Sequence, residues 1–459
     1  MNININNVVG GISSETIKNC QFQVWQAKEI VVVCEFGKKQ PPLLRTNSNV
    51  IYIPRKVLTT LKKYTDKDLL LQIHPDSDTA IELCLLFLDK LSSTYFDYLR
   101  NENGDRWKRL NSTLLRRYYS KNPQTYSKVL SALEYPLKTA AIIECDKSYN
   151  KGSSRKYRIT NTYIKAGITK YQLKTAIAKE YHDNENKRKM RTAKSDPICK
   201  NLLHFYYQVT MPTEEQLLHQ AKMIVQKGIA LKNRKFLKFR NKHPNSYFKD
   251  ISQISFVEDN LKIYNSLTKD GLIIPLPGSE NSGGRVVDSF TLMPSWCRNI
   301  VRINNNKLIE VDYTCLHPNI AMTIYGGDLR YITHSDISEL TGRNIAEVKK
   351  EHLSFFNQQI WQMKQSFLWN FYLEYQPKMM KNLIEDKKKN GYINTSRRLF
   401  KKEVELMTEV IGRLNEIGIY VGYIYDALIT EPKNAEIVAE IMDEVARSMG
   451  IYTLSKKAA

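Results

Sequence analysis

The stretch KLIEVDYTCLHPNIAMTIYGG, residues 307 to 327, decides how the chain folds. Ile309 and Val311 alternate with Leu308, Glu310 and Asp312, the period of a strand whose successive side chains face opposite ways. From Leu316 to Tyr325 the pattern is helical. Pro318 falls in the first turn, where a missing amide hydrogen costs least, and Gly326-Gly327 supply the stop. Asp312 is therefore expected where a strand meets a helix, and a single acid there is most simply a helix cap.

A second acid changes that reading. IGIYVGYIYDALITEP (417 to 432) has aromatic and β-branched residues on both sides of Tyr425-Asp426, as in two short strands with an acid at their turn. Two strand-end aspartates far apart in sequence suit a two-metal site. Hard carboxylate oxygens hold two magnesium ions, one activating an attacking oxygen and one stabilising a leaving group. Acids also stand at strand ends in many α/β proteins, so spacing alone leaves both readings open.

The order of the flanking residues adds to this. Gly284-Arg285, Pro294 and Arg298 lead into Leu308-Ile309-Glu310-Val311-Asp312-Tyr313-Thr314, a run that resembles motif A of family A DNA polymerases and its approach. Phe371, Tyr375, Pro377 and Met379, then Gly391-Tyr392, Thr395 and Arg397-Arg398, are similar to that family's segment after the fingers helix. Glu403 follows as the acid expected to open the next helix, and Tyr425-Asp426 falls at motif C, where the family usually has His-Asp. The resemblance covers residues 280 to 445.

It implies an α+β fold, with a polymerase palm over 280–459 and a small fingers insertion at 335–400. It further implies template-directed nucleotidyl transfer with two Mg²⁺ (or Mn²⁺) ions bridged by Asp312 and Asp426. The partners would be a DNA template and primer and nucleoside triphosphates, with RNA open. Arg285 and Arg298 would touch nucleic acid, and Tyr313 and His317 would lie near the nucleotide. The family carries a glutamate five residues after its first aspartate, where it helps exclude the ribose 2′-OH. His317 stands there instead, which leaves the sugar open.

Between the two motifs, Arg343, Lys349, Lys350 and Phe355 or Phe356 are the residue types a fingers helix needs: cations for a triphosphate and a ring to stack on a base. The family's spacing is not reproduced in one register. Lys350, Arg343 and Phe355 are taken as the nucleotide contacts, against the alternative of an amphipathic helix with solvated lysines. LFKKEVELMTEVIGRLNEIG (399 to 418) puts Phe400, Val404, Met407, Ile411 and Leu414 on one stripe, expected to pack behind the palm sheet.

The chain has 459 residues, room for two or three domains, and a formal charge of +22 from 69 Lys and Arg against 47 Asp and Glu. An anionic polymer is the natural partner for that surplus, bound less tightly as salt rises. The alternative reading of part of it is a Lys- and Asn-rich composition inherited from an AT-rich genome. Seven scattered cysteines without a CxxC pair indicate neither zinc nor a disulfide framework, and fit a reducing cytoplasm. MNININNVVGG lacks a signal-peptide layout and no apolar run is long enough to span a membrane, so no membrane partner is expected.

Upstream, residues 1–78 show strands at 29–36 and 49–55 with a turn at Pro41-Pro42, and no assignable chemistry. Residues 79–182 hold helical runs, including Tyr126, Val129, Leu130 and Leu133 on one face, then a hairpin (140 to 160) carrying Lys147, Lys151, Arg155, Lys156 and Arg158. Helices followed by a basic hairpin resemble a winged-helix domain, in which one helix enters the major groove and the wing touches phosphates. Protein docking and a solvated hairpin edge are the alternatives.

Residues 183–200 read as a charged linker with almost nothing to bury. Residues 201–279 read as a basic, thumb-like connector, with a helix starting at Thr213, boxed by Gln216, and ending near Gly228. LKNRKFLKFRNKHP (231 to 244) interleaves Lys232, Arg234, Lys235, Lys238, Arg240 and Lys242 with Phe236 and Phe239. This suits either a surface that tracks a nucleic-acid backbone or an amphipathic helix with buried rings.

The expected activity is that of a DNA polymerase or primase-polymerase of a phage, plasmid or other mobile element, without proofreading. A non-catalytic DNA-binding initiator or repressor, a single-subunit-type RNA polymerase and a metal-dependent nuclease stay open. The Gly284-Arg285 to Arg298 approach and the fingers-like insertion favour polymerisation, because a nuclease needs no grip on a triphosphate.

Overall fold

The computed structural model describes residues 44–45, 49–100, 104, 106–119, 124–136, 139–146, 154–231, 234–240, 251–328 and 331–457. The expected strand at 29–36, the Pro41-Pro42 turn, and Lys147, Lys151, Lys232 and Lys242 lie outside them. The fold is mixed α+β, and two large hydrophobic cores organise it.

The first core begins at β1 (Val50–Pro54) and centres on α1 (Ser77–Leu91), whose residues are apolar on nearly every face and correspondingly buried. Then come β2 (Lys108–Arg109), α2 (Ser112–Tyr118), α3 (Thr125–Glu134), β3 (Ile143–Cys145) and β4 (Lys156–Ile159). β4 lies between β2 and β3, all antiparallel, and Tyr126, Val129, Leu130 and Leu133 of α3 are buried as their spacing predicts. β5 (Ile168–Gln172) returns to pair antiparallel with β1, Val50 opposite Gln172. The boundary expected at residue 79 is therefore displaced: β1 is the partner strand of β5, and Ile51 and Ile53 belong to the same core.

The expected linker at 183–200 is also corrected. One helix, α4 (Ala176–Ser195), runs through it, and α5 (Pro197–Tyr206) follows at once, capped by Asp196. The segment is charged, but its Lys, Arg, Glu and Ala are good helix formers. Its two ends are anchored as well, Ala178 and Tyr181 in the first core and Ala193 in the second. The start is held by buried Glu82 of α1, which accepts from the amides of Lys174 (2.7 Å) and Thr175 (2.9 Å) where the helix dipole favours an anion. Sparse apolar content failed as a guide because a helix bridging two cores needs apolar residues only at its ends.

α6 (Glu214–Lys227) starts at Thr213 with the Gln216 capping box and stops at Gly228, in the left-handed region. Beyond it, residues 236–238 form no helix. β6 (Phe236–Lys238) pairs in parallel with β7 (Ile254–Phe256), Leu237 pointing inward and Phe236 outward.

The second core surrounds a four-stranded antiparallel sheet in the order β9–β10–β8–β11: β8 (Ile309–Tyr313), β9 (Gly422–Ile424), β10 (Ala427–Thr430) and β11 (Ser455–Lys457). β8 feeds α7 (Leu316–Tyr325), with Gly326 left-handed at its stop. α8 (Ile345–Phe355), α9 (Phe367–Tyr375) and α10 (Pro377–Asn390) occupy the region expected as fingers, and their aromatic cluster is continuous with the sheet's core. α11 (Ile393–Glu416) and α12 (Ala435–Ser448) pack against each other, Met407, Ile411 and Leu414 being buried. Among the described residues no helix is long and apolar enough to cross a membrane.

Candidate active site

The period-two alternation of β8 sorts its side chains. Val311 and Tyr313 are buried, and the Tyr313 hydroxyl donates to the Met442 carbonyl of α12, which leaves Asp312 on the opposite face. Beside β8, β9 and β10 pair Ile424 with Ala427, so Tyr425-Asp426 is a two-residue hairpin loop. Such loops need a positive φ at the first central residue, usually supplied by glycine or asparagine; here Tyr425 takes it, at 59°. A bulky residue in that region carries strain that neighbouring packing must hold.

The two aspartates meet through the ladder. Asp312 lies opposite Ala427, next in chain to Asp426, and the Tyr313 amide donates to the Asp426 carbonyl at 3.3 Å. Residues separated widely in sequence thus share one end of one sheet. The hairpin is pinned from behind by buried Asn201 of α5, which donates to the Val421 carbonyl (2.6 Å) and accepts from the Val421 amide (3.1 Å).

A buried charge cluster adjoins Asp426. Gly283 and Gly284 are both left-handed, and Gly283 packs so closely on the backbone of α11 that an added Cβ would lie 2.5 Å from the Lys401 nitrogen. This approach carries Arg285 onto Glu403. Arg285 Nε donates to Glu403 Oε1 at 2.7 Å, one Nη donates to Oε2, and His317 Nε2 lies 2.7 Å from Oε2. The guanidinium also lies over the Phe400 ring at 3.7 Å and the Tyr425 ring at 5.0 Å, bracing the strained hairpin. Gly283→Ala is expected to cost about 2 kcal/mol or more, from positive φ and overpacking against backbone, read as a lower urea midpoint.

Glu403 does not open a helix as expected. It sits inside α11, fully buried beneath Arg285 and His317. Burial raises its carboxyl, but hydrogen bonds from His317 and Arg285 and their charge outweigh this and hold it below the ordinary range. The stabilisation is therefore complete above the unfolded pKa near 4.5 and is lost as pH falls through the lower folded value. The gap in urea midpoint between wild type and Glu403→Gln should narrow on acidification below that pH. Asp426 moves the other way: enclosure by the protein and the charge of Glu403 push it up to about 6, against His317 and Arg285.

Two further residues adjoin the acids without having been singled out in the sequence. Lys456 of β11 lies directly across from Asp312, on the same face. Ser455-Lys456-Lys457 reads as a solvated basic tail, and the only cue to a strand is the β-prone run from Ile451 to Leu454 before it. The Tyr423 hydroxyl is buried without a hydrogen-bond partner among the described residues, and the charges of Glu403, Arg285 and Asp426 act on it.

Other expected site residues lie elsewhere. Tyr313 is a core residue facing away from Asp312, and Phe355 is fully buried against Tyr372, as Phe356 nearly is, so neither ring offers a stacking face. Arg298 is used internally, donating to the carbonyls of Phe290 (2.7 Å) and Met293 (2.9 Å). Arg343 and Lys350 are exposed, Arg343 lying over the Phe367 ring at 5.5 Å. Lys349, one residue earlier, is the α8 cation whose charge reaches Cys315 at the end of the β8 loop.

The basic residues assigned to nucleic acid are largely engaged within the protein. Arg158 Nε donates to Glu144 (2.7 Å), Lys156 lies 3.6 Å from Asp146, and Arg155 is exposed just before β4. Arg240 is paired with Asp259, Arg234 donates to the Ala346 carbonyl at 3.3 Å, Lys235 stands just before β6 and Lys238 is its last residue. Pattern reading overlooked that a basic residue in a hairpin or strand usually has an acid across the ladder.

Among the described residues, no three His, Cys, Asp or Glu side chains come together as a self-sufficient metal site. Two carboxylates at one sheet end are the type of donor magnesium takes when water and substrate phosphates complete its octahedron, so Asp312 and Asp426 are the residues that could hold Mg²⁺ or Mn²⁺.

No protein-family model matches the chain, and no curated protein matches it. Among solved structures it is similar to the POL domain of Pol1 from M. smegmatis in complex with DNA primer-template and dNTP. The identity is 9%, the alignment covers 80% of this chain and 81% of that chain, and the TM-score is 0.38. A likeness at that level carries no weight for the site, which stands on its own geometry.

Proposed function

We propose that this chain is a template-directed nucleotidyltransferase, a DNA polymerase or primase-polymerase. The observation that carries the reading is the pair Asp312 and Asp426, brought from distant segments to one end of an antiparallel sheet beside a braced cationic cluster. Asp312 and Asp426 would hold two magnesium ions, which supply activation of the 3′-hydroxyl and charge neutralisation at the pyrophosphate.

The chain's own residues do the rest. Tyr313 and Asn201, anchored in the core, set the position of the two strand ends. Arg285, tied to Glu403 and stacked on Tyr425, keeps the hairpin in its strained form and Asp426 in place. Lys456 offsets negative charge next to Asp312, and the exposed Arg343, Lys349 and Lys350 provide cations for a triphosphate. His317, held by Glu403 where the resembled family has a glutamate, is the residue to which sugar choice is assigned.

Residues 79–182 are read as a winged-helix-like DNA-binding module. The order α1, β2, α2, α3, β3, β4 with β4 central supports this. Together with the resemblance in sequence, a replication protein of a phage, plasmid or other mobile element is the role proposed.

The test is extension on a single-stranded DNA template with Mg²⁺ or Mn²⁺, with and without primer, offering dNTPs and NTPs separately, beside an Asp426→Asn control. Product that disappears in the control supports the reading. No product under any condition, with salt-sensitive DNA binding intact, would replace it by a non-catalytic initiator.

A further inference from the structure

A cleft of about 1710 Å³ lies between the β2–α2 segment, α4 and the Leu276–Asn281 region. Small-molecule pockets run to roughly 300–1,000 Å³, so it exceeds what one nucleotide needs. One wall is β2 and α2, another is α4, and the third is the loop at Ser279–Asn281 with Arg397 of α11.

Its charge is one-sided. Among the described lining residues nine lysines and arginines face three acids. Glu185 is already taken up by Arg188, at 2.8 Å, and by Lys90. Arg109, Arg117, Lys187, Lys189, Arg191 and Arg397 make no ion pair among the described residues. Lys90, its ammonium 3.6 Å above the Tyr118 ring, is pushed down to about 8 by burial, with Lys189 and Lys108 adding repulsion and Glu185 opposing them. Like charge gathered in this cleft repels itself, which opposes folding unless a polyanion shares the space.

We propose that this cleft binds an unpaired nucleic-acid strand through its phosphates, leading it to the strand ends that carry Asp312 and Asp426. The path is continuous in the chain. Ser279–Asn281 are one residue short of Gly283–Arg285, and Arg397 lies six residues, roughly 9 Å of helix, before Glu403. The aromatic rings of the lining, Tyr118 and Tyr181, are buried and offer no stacking face, so recognition is of backbone and independent of sequence. The inference deepens the nucleotidyltransferase reading and takes from it only that the ligand is a nucleic acid.

Fluorescence anisotropy of a labelled oligothymidylate, titrated with the full chain between roughly 50 and 200 mM salt, tests it. Lys187→Gln/Lys189→Gln/Arg191→Gln, on α4, should weaken binding about tenfold and flatten the log K against log salt slope by about 2, roughly 0.7 for each lost phosphate contact. Circular dichroism checks that the helix is kept. Arg109→Gln/Arg117→Gln, on the opposite wall, should act in the same direction and does not touch α4.

Unchanged affinity and slope in both well-folded variants would overturn the cleft while leaving the palm reading to the Asp426→Asn extension assay. Displacement of the oligonucleotide by equimolar inorganic triphosphate, or tighter binding of a blunt duplex than of the single strand, would also overturn it. Loss of binding in both variants, with Asp426→Asn binding as wild type, would establish the cleft independently of catalysis.

Discussion

Asp426→Asn and Asp312→Asn should each reduce nucleotide incorporation by about 10³-fold or more while leaving single-strand binding within about twofold of wild type. Both substitutions preserve shape and remove one negative charge, so they separate charge at the strand end from packing. The magnitude follows from the several kcal/mol of transition-state charge stabilisation that a metal pair supplies and that a neutral amide holds poorly. The two changes act on one unit, so the double variant should be scarcely slower than either single one. If instead either protein extends a primer at the wild-type rate, the assignment of the two acids fails.

Arg285→Met should destabilise the chain by about 3 to 5 kcal/mol, the cost of leaving a buried carboxylate without its main partner. Glu403 is fully buried and would retain only His317. Adding Glu403→Gln to Arg285→Met should recover part of that loss, because the orphaned charge is then gone, and a double-mutant cycle of urea midpoints measures the coupling. Equal losses in the single and double variants would show that Arg285 acts by packing on Phe400 and Tyr425 alone. Arg285→Met should also lower incorporation, through release of the strained Tyr425 turn rather than loss of a ligand.

The parts of the site legible in the sequence are those set by local rules. Alternation along 309–313, Pro318 and Gly326 at the ends of a helix, and the β-prone residues around Tyr425-Asp426 each act over a few residues, and the structure has them where those rules put them. The capping box at Thr213 with Gln216 belongs to the same class. The failures share a different cause. Phe355 and Tyr313 are aromatic residues whose exposure depends on which element covers them, and Arg298, Arg158 and Arg240 are cations whose partners come from other strands or helices. Composition cannot distinguish a basic residue facing solvent from one facing an acid across a ladder.

The segment 183–200 makes the same point from the other side. Its lack of apolar residues reads as a linker, yet α4 needs only Ala178, Tyr181 and Ala193 to bridge two cores, and the charges between them become the wall of a cleft. Sequence by itself determined the strand that carries Asp312, the turn that carries Asp426 and the basic surplus of the chain, because periodicity, turn chemistry and charge are local or additive. Only the tertiary structure decided that the two acids share one sheet end, that Glu403 is buried under Arg285 and that Lys456 faces Asp312. Each of these is a pairing across long loops, selected by the burial energy of the whole core rather than by any preference of the residues that meet.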